Sequence, residues 1–132
     1  MRPIPVGAKG SYTLRVMPAH LANQFKDISL PQVFATPMMV TAMENAALNA
    51  VRDYLDAGES VVGTAVNIRH LAATPVGHQV TATAEVTKVD GRRIEFKVSA
   101  HDETEEIGNG THERMVVDMA RIDKRLAAKK RP

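Results

Sequence analysis

The sequence predicts an α+β domain in which one antiparallel sheet curls around a single buried helix. Three observations carry that reading. Residues 37–57 are apolar around most of a helical circumference, the signature of a helix that lies inside rather than on a surface. After Gly58 the apolar period falls from about 3.6 to 2 and stays near 2 as far as residue 122. Asp90-Gly91 divides that stretch with a two-residue hairpin signal.

Each element follows from its own residues. Residues 1–9 hold two prolines and read as a lead-in along a sheet edge. Residues 10–17 alternate, with Tyr12, Leu14 and Val16 on one face of a strand. Residues 18–35 contain Pro18 and Pro31 and form a long connection with a helical turn near His20–Phe25. Connections of this length in small domains often serve as lids. In the helix, Thr36 takes the N-cap position, Pro37 takes N1, and Gly58 supplies a left-handed C-cap. Met39, Met43, Ala46, Ala50 and Tyr54 make one stripe, and Val40, Ala47, Leu48, Val51 and Leu55 a second. Asn49, Arg52, Asp53 and Asp56 supply the polar strip.

Four strands follow. Residues 61–71 place Val62, Thr64, Val66, Ile68 and His70 on one face. Residues 78–89 place Val80, Ala82, Ala84 and Val86 inward, ahead of a type I′ turn at Asp90-Gly91. Residues 92–102 return with Ile94, Phe96, Val98 and Ala100 inward. Residues 107–122 form the last strand, where Gly108 and Gly110 mark a bend or bulge.

At 132 residues the chain predicts one domain, long enough to build a core without staples. There are 17 Lys and Arg against 15 Asp and Glu. Lys124, Arg125, Lys129, Lys130 and Arg131 fall in the last nine residues, which hold no acid. Residues 1–123 therefore carry 12 basic and 15 acidic groups, and the basic pI of about 9.1 belongs to a tail over 124–132. A nucleic-acid reader should carry its basic patch on the fold, so nucleic acid is not the expected partner. Cysteine is absent, which excludes disulfides, thiolate zinc sites and cysteine nucleophiles. The histidines show no spacing that suits a metal. No apolar run approaches the ~18 residues of a membrane span, and MRPIPVGAKG lacks the apolar centre of a signal peptide. The expectation is a cytoplasmic protein with no membrane partner.

Three residues carry chemical potential. Glu44 sits in an apolar stripe, where a carboxylate is expensive to bury unless it is paired or hydrogen-bonded. A turn toward solvent or an ion pair with a strand arginine would account for it without catalysis. His70 ends the inward face of its strand, and its ordinary pKa suits acid–base work near neutrality. A helix-capping role alone accounts for Thr36, yet a helix N-terminus also gathers free N–H donors that stabilise a developing oxyanion. His112 and Arg114 share one face of the last strand, where Arg114 suits an anion or a carboxylate.

Three segments together resemble the fluoroacetyl-CoA thioesterase-like family: PQVFATPMMVTAME over residues 31–44, VGTAVNIRH over 62–70 and VSAHDETEEIGNGTHER over 98–114. The resemblance extends over most of residues 8–120. It implies the hot-dog fold, a curved antiparallel sheet around one long helix, in a homodimer of 1–123 domains. It implies acyl-CoA thioester hydrolysis with no cofactor, coenzyme A being part of the substrate. The family's catalytic residues fall on Thr36, Glu44 and His70, and its pocket residues on Gly63 and Arg114, with Phe34 and Leu30 at the substrate-binding segment. Leu30 stands where the fluoroacetate-specialised pattern has an aromatic lid residue, and Pro37 where glycine is more familiar. A small or medium acyl-CoA is therefore the expected substrate class. Thr36, Glu44 and an activated water all remain open as the attacking group. A non-catalytic acyl-CoA or small-acid binding protein of the same fold is the alternative. The basic tail suits anions such as the CoA phosphates.

Overall fold

The structure, a computed structural model, describes residues 1–130. Arg131 and Pro132, the end of the expected basic tail, lie outside the described residues. The chain runs β1 (Lys9–Arg15), α1 (Ala22–Phe25), α2 (Thr36–Val51), β2 (Glu59–His70), β3 (Gln79–Asp90), β4 (Arg93–His101), β5 (Glu106–Asp118) and α3 (Met119–Ala128). The five strands form one antiparallel sheet in the order β1-β3-β4-β5-β2, leaving β1 and β2 as edges. A single buried helix wrapped by this sheet matches the expected α+β class.

Helix α2 buries Met39, Ala42, Met43, Ala46, Ala47, Ala50 and Val51. The sheet answers with Val80, Ala82, Ala84 and Val86 of β3 and Ile94, Phe96, Val98 and Ala100 of β4, all buried. The approach is closest at β1. A Cβ built on Gly10 would fall 2.3 Å from the Ala46 carbonyl oxygen and 2.3 Å from the Ala50 nitrogen, so only glycine lets β1 touch the helix backbone. The helix stops at Val51 rather than at residue 57. Arg52–Tyr54 tighten into a 3₁₀ turn and Leu55 is already extended, so Gly58, at φ +83°, shapes the following turn instead of capping the helix.

The β3–β4 hairpin pairs Asp90 with Arg93, so its central residues are Gly91 and Arg92. Positive φ in this turn is confined to Gly91, at +61°, since among the described residues none other than glycine has one. A type I′ turn needs positive φ at both central positions, so the expected type gives way to the type II′ pattern.

Strand β2 holds the larger departure. Its register against β5 shifts between Gly63 and Ala65, leaving Thr64 as an extra residue. A bulge of one residue reverses the faces on its N-terminal side. Val66, Ile68 and His70 point inward as the alternation predicts, opposite His112, Gly110 and Gly108. Before the bulge the inward residues are Val61 and Gly63, opposite Val116 and Arg114, while Val62 and Thr64 turn outward. A second shift leaves Ile107 as the extra residue of β5, the irregularity that Gly108 signals. The final strand ends at Asp118, whose side chain caps α3 by accepting from the Ala120 amide. Residues 119–122, read as strand, are thus helical.

The loop after β2 is held by one polar staple. Thr74, fully buried, donates to Asp102 at 2.8 Å. Asp102 also accepts from the Thr104 and Glu105 amides and the Thr104 hydroxyl. Burial pushes the Asp102 carboxyl up, but these hydrogen bonds outweigh it and bring its pKa down to about 2. The Thr74 carbonyl in turn receives the Phe34 amide at 2.9 Å, tying the start of α2 to this loop.

Two outcomes follow. Gly10→Ala forces overlap with helix backbone that has no rotamer to escape into, and should lower stability by about 1–3 kcal/mol in urea denaturation. Asp102 has a folded pKa below its ordinary value of 3.8, so its stabilisation is present above that value and is lost as pH falls toward about 2. Denaturation midpoints taken across acid pH should show that loss in the native chain and a shallower one in Asp102→Asn.

Candidate active site

Thr36 is the first helical residue of α2, with Ala35 as the extended N-cap. This corrects the expected N-cap position by one residue, and Pro37 moves to N2. The Thr36 hydroxyl makes no capping bond; it lies 2.7 Å from Nδ1 of His70. Two backbone ties place it there. The Phe34 amide donates to Thr74, and the Ala35 amide donates to the His20 carbonyl at 2.9 Å. His70 arrives from the other side as the last residue of β2. Its position opposite Gly108 and the Leu71 amide bond to Ile107 fix where β2 ends.

Burial pushes the His70 imidazole below its ordinary 6.5, against a smaller opposing pull from the Ala72 backbone. The ring is therefore neutral and able to take a proton near neutrality. Its Nε2 is buried with no hydrogen-bond partner among the described residues. Thr36 and His70 open into a cavity of about 400 Å³, also lined by Leu30, Phe34, Leu71 and Ala72. Phe34 is buried, with the His20 ring edge-on to it at 6.4 Å. Pro37 has no N–H and the Met38 and Met39 amides both donate to the Ala35 carbonyl, so the Thr36 amide is the donor of the first turn left for this cavity, at the positive end of the helix dipole.

Glu44 lies eight residues further along α2, about 12 Å by helical rise. It does not pair with His70. Its Oε2 is 3.8 Å from Nη1 of Arg114, and its side chain is 40% exposed. Gly63 makes room for that carboxylate, since a Cβ there would fall 2.9 Å from Oε2. Arg114 is buried; its Nη2 donates to the Val61 carbonyl at 2.7 Å and its Nη1 lies 3.2 Å from Nε2 of His112. Burial pushes Arg114 down, with Glu44 opposing. Its Nε has no partner among the described residues.

One chain therefore assembles two groups. Thr36, His70, Phe34 and Leu30 form the first; Glu44, Gly63 and Arg114 form the second. His112 belongs structurally with the second, and its place beside Arg114 on one strand face was the only sequence signal for it. The Thr74–Asp102 staple left no periodic signal, because both residues sit in loops. A larger cavity of about 800 Å³ on the outer face of β1, β3, β4 and β5 includes none of the candidate residues.

The family model for fluoroacetyl-CoA-specific thioesterases matches residues 16–120. A fluoroacetyl-CoA thioesterase from Streptantibioticus cattleyicolor is 48% identical over 99 residues, 75% of this chain and 71% of that protein. A solved structure of the fluoroacetyl-CoA thioesterase FlK superimposes with a TM-score of 0.92 at 39% identity, covering 98% of this chain and 99% of that one. A thioesterase superfamily member from Thermus thermophilus does so with a TM-score of 0.91 at 31% identity, covering 97% and 94%. The architecture is that of the hot-dog thioesterases.

Proposed function

The chain belongs to the fluoroacetyl-CoA-specific thioesterase family, and we propose that it hydrolyses small or medium acyl-CoA thioesters to the free acid and CoA. The observation that carries this reading is the 2.7 Å contact between the Thr36 hydroxyl and His70 Nδ1 at the N-terminus of a buried helix. A hydroxyl against a neutral, partly desolvated imidazole is a nucleophile–base pair. The helix start supplies the Thr36 amide and the positive end of its dipole for the oxyanion that forms when the thioester carbonyl is attacked.

The attacking oxygen is that of Thr36 or of a water held against the same nitrogen. In either case its proton passes to Nδ1 as the oxygen adds to the carbonyl carbon. The C–S bond then breaks and the imidazolium returns the proton to the leaving CoA sulfur. If Thr36 attacks, water repeats the sequence on the acyl-threonine and releases the acid. The imidazolium formed on the way is stabilised by a carboxylate nearby, and Nε2 is the buried ring nitrogen without a partner among the described residues. No resident cofactor enters this scheme. Leu30, an aliphatic residue at the cavity wall, supports a substrate range wider than fluoroacetyl-CoA alone. A CoA-thioester substrate supports a cytoplasmic location.

The missing carboxylate is supplied in this reading by a second copy of the chain. β2 is an unpaired edge, and its inward-facing Val66 is 43% exposed although the same face of β3 and β4 is buried. Such an edge calls for a partner strand. Antiparallel pairing of two β2 strands about a two-fold axis sets the His70 end of one beside the Gly63 end of the other. Glu44 and Arg114 of the partner subunit then complete the group at Thr36 and His70, in two equivalent sites per dimer.

Hydrolysis over an acyl-CoA panel, read by free thiol, tests the activity; saturable binding without thiol release would identify a binding protein instead. His70→Ala should lower turnover by about 10²–10⁴. Mixing separately inactive His70→Ala and Glu44→Ala chains under exchange conditions tests the shared site. Random pairing restores one intact site in half of the dimers, so activity should recover to about a quarter of the native level. No recovery in exchanged dimers would place all three residues in one chain.

A further inference from the structure

His112 occupies the junction between Arg114 and the bulge of β2, and the reading above gives it no role. Its side chain is buried and stacks on Phe96, with ring centroids 5.8 Å apart at 27°. Its Nδ1 is 2.8 Å from the Ala65 carbonyl oxygen, which can only accept, so Nδ1 carries the hydrogen. Its Nε2 is 3.2 Å from Nη1 of Arg114, which can only donate, so Nε2 carries the lone pair. One neutral tautomer satisfies both contacts. A second proton would set an N–H of the ring against an N–H of the guanidinium.

The two contacts act on different parts of the site. The bond to Ala65 grips the bulge from inside the sheet. The next residue of β5, Glu113, grips it from outside by accepting from the Thr64 hydroxyl at 2.6 Å. Between them they hold Gly63 opposite Arg114, where its missing side chain leaves space for the Glu44 carboxylate. The bond to Arg114 holds the guanidinium between Val61 and His112, 3.8 Å from Glu44 instead of in a close ion pair. Without the imidazole acceptor, Nη1 keeps a long bond of 3.5 Å to the Glu44 carbonyl oxygen and has the Glu44 carboxylate, at 3.8 Å, as its charged partner.

We propose that His112 is a positioning residue for the thioesterase reaction: as a neutral Nδ1–H imidazole it locks the Gly63–Ala65 bulge and keeps Arg114 from collapsing onto Glu44. The inference rests on the assignment of Glu44, Gly63 and Arg114 to the acyl-CoA site. Around the ring, α2 contributes Glu44, β5 contributes Arg114 and Glu113, and β4 contributes Phe96 and, in the same cavity, Glu95, while β2 brings no charge. Burial, first, pushes the His112 pKa down and the bond to the Ala65 carbonyl pulls it up; Arg114 lowers it further, Glu44 and Glu113 raise it, and the result lies below the ordinary value.

Three substitutions separate the two contacts. Gln reaches the Nε2 position and keeps an acceptor for Arg114; Asn reaches the Nδ1 position and keeps a donor for Ala65; Leu keeps neither. His112→Leu should lower kcat by about 10²-fold with little change in KM. His112→Gln, which keeps Arg114 off Glu44, should recover most of that kcat, and His112→Asn, which keeps the bulge contact alone, should recover clearly less. Equal kcat for the Gln and Asn variants, or native kcat for Leu, would overturn the proposal. If the Leu variant does not fold, the Gln–Asn comparison decides alone. ¹⁵N NMR of the imidazole in the native protein gives a readout independent of turnover: a predominantly neutral Nδ1–H tautomer at pH 6.5 is expected. An Nε2–H tautomer or a charged ring there rejects the proposal whatever the enzyme's substrate, whereas a chain that hydrolyses no acyl-CoA yet shows the Nδ1–H tautomer rejects only the assigned reaction and its kinetic consequence.

Discussion

Ala46 and Ala50 leave α2 no side chain longer than a methyl where it meets β1, and Gly10 leaves β1 none at all. Backbone therefore packs against backbone, and the helix cannot slide or rotate without losing that contact. The axis so fixed decides the rest. Its N-terminus falls at the His70 end of β2 and its third turn at the Gly63 and Arg114 positions. Small residues contribute little apolar area of their own, so the hydrophobic stabilisation comes from the larger groups around them, chiefly Phe34, Phe96, Met39, Met43, Ile94 and Ile107. Helix position is set by the alanines and glycine, and helix burial by these larger neighbours.

The bulge at Thr64 is the second decision. Without it, the alternation of β2 would put Val62 and Thr64 on the inner face and turn the backbone of Gly63 away from Glu44. With it, one strand presents two inward series, a glycine beside a carboxylate and a histidine beside a hydroxyl. A bulge on an edge strand also twists that edge, and β2 is one of the two edges of the sheet. The same local irregularity therefore shapes both halves of the site.

Polar groups at this site are placed where the fold would otherwise bury apolar ones. Arg114 and His112 occupy inward positions of β5 in line with Ile94 and Phe96 of β4. Such positions are tolerated only when donors and acceptors match, and here Val61, Ala65 and the two side chains themselves supply the matches. Thr36 shows the opposite trade. A threonine at a helix start usually satisfies the helix, but here His70 takes the hydroxyl while the Ala35 carbonyl takes the Met38 and Met39 amides.

Much of the fold was legible in local chemistry. The apolar circumference of residues 37–51 required a buried helix, and the alternation of residues 79–86 and 93–101 required a hairpin with Ile94, Phe96, Val98 and Ala100 inside, although the register shifts at Thr87 between them. Thr36, Glu44, His70, Gly63 and Arg114 were legible as an unusual set through their resemblance to a family. Periodicity failed where a single residue breaks it: at Thr64, where the face reverses; at Arg52, where the helix tightens; and at Met119, where strand becomes helix. Which groups meet was not legible, because contacts between residues 36 and 70, 44 and 114, or 65 and 112 depend on sheet register and helix axis, which no local pattern encodes. The sequence by itself determined an α+β wrap, its core residues and the chemical groups available. Only the tertiary structure decided that Thr36 serves His70 rather than its helix, that Glu44 faces Arg114 rather than His70, and that His112 joins the two strands. Hydrogen-bond partners are chosen by distance in three dimensions, and burial makes each such choice costly to undo.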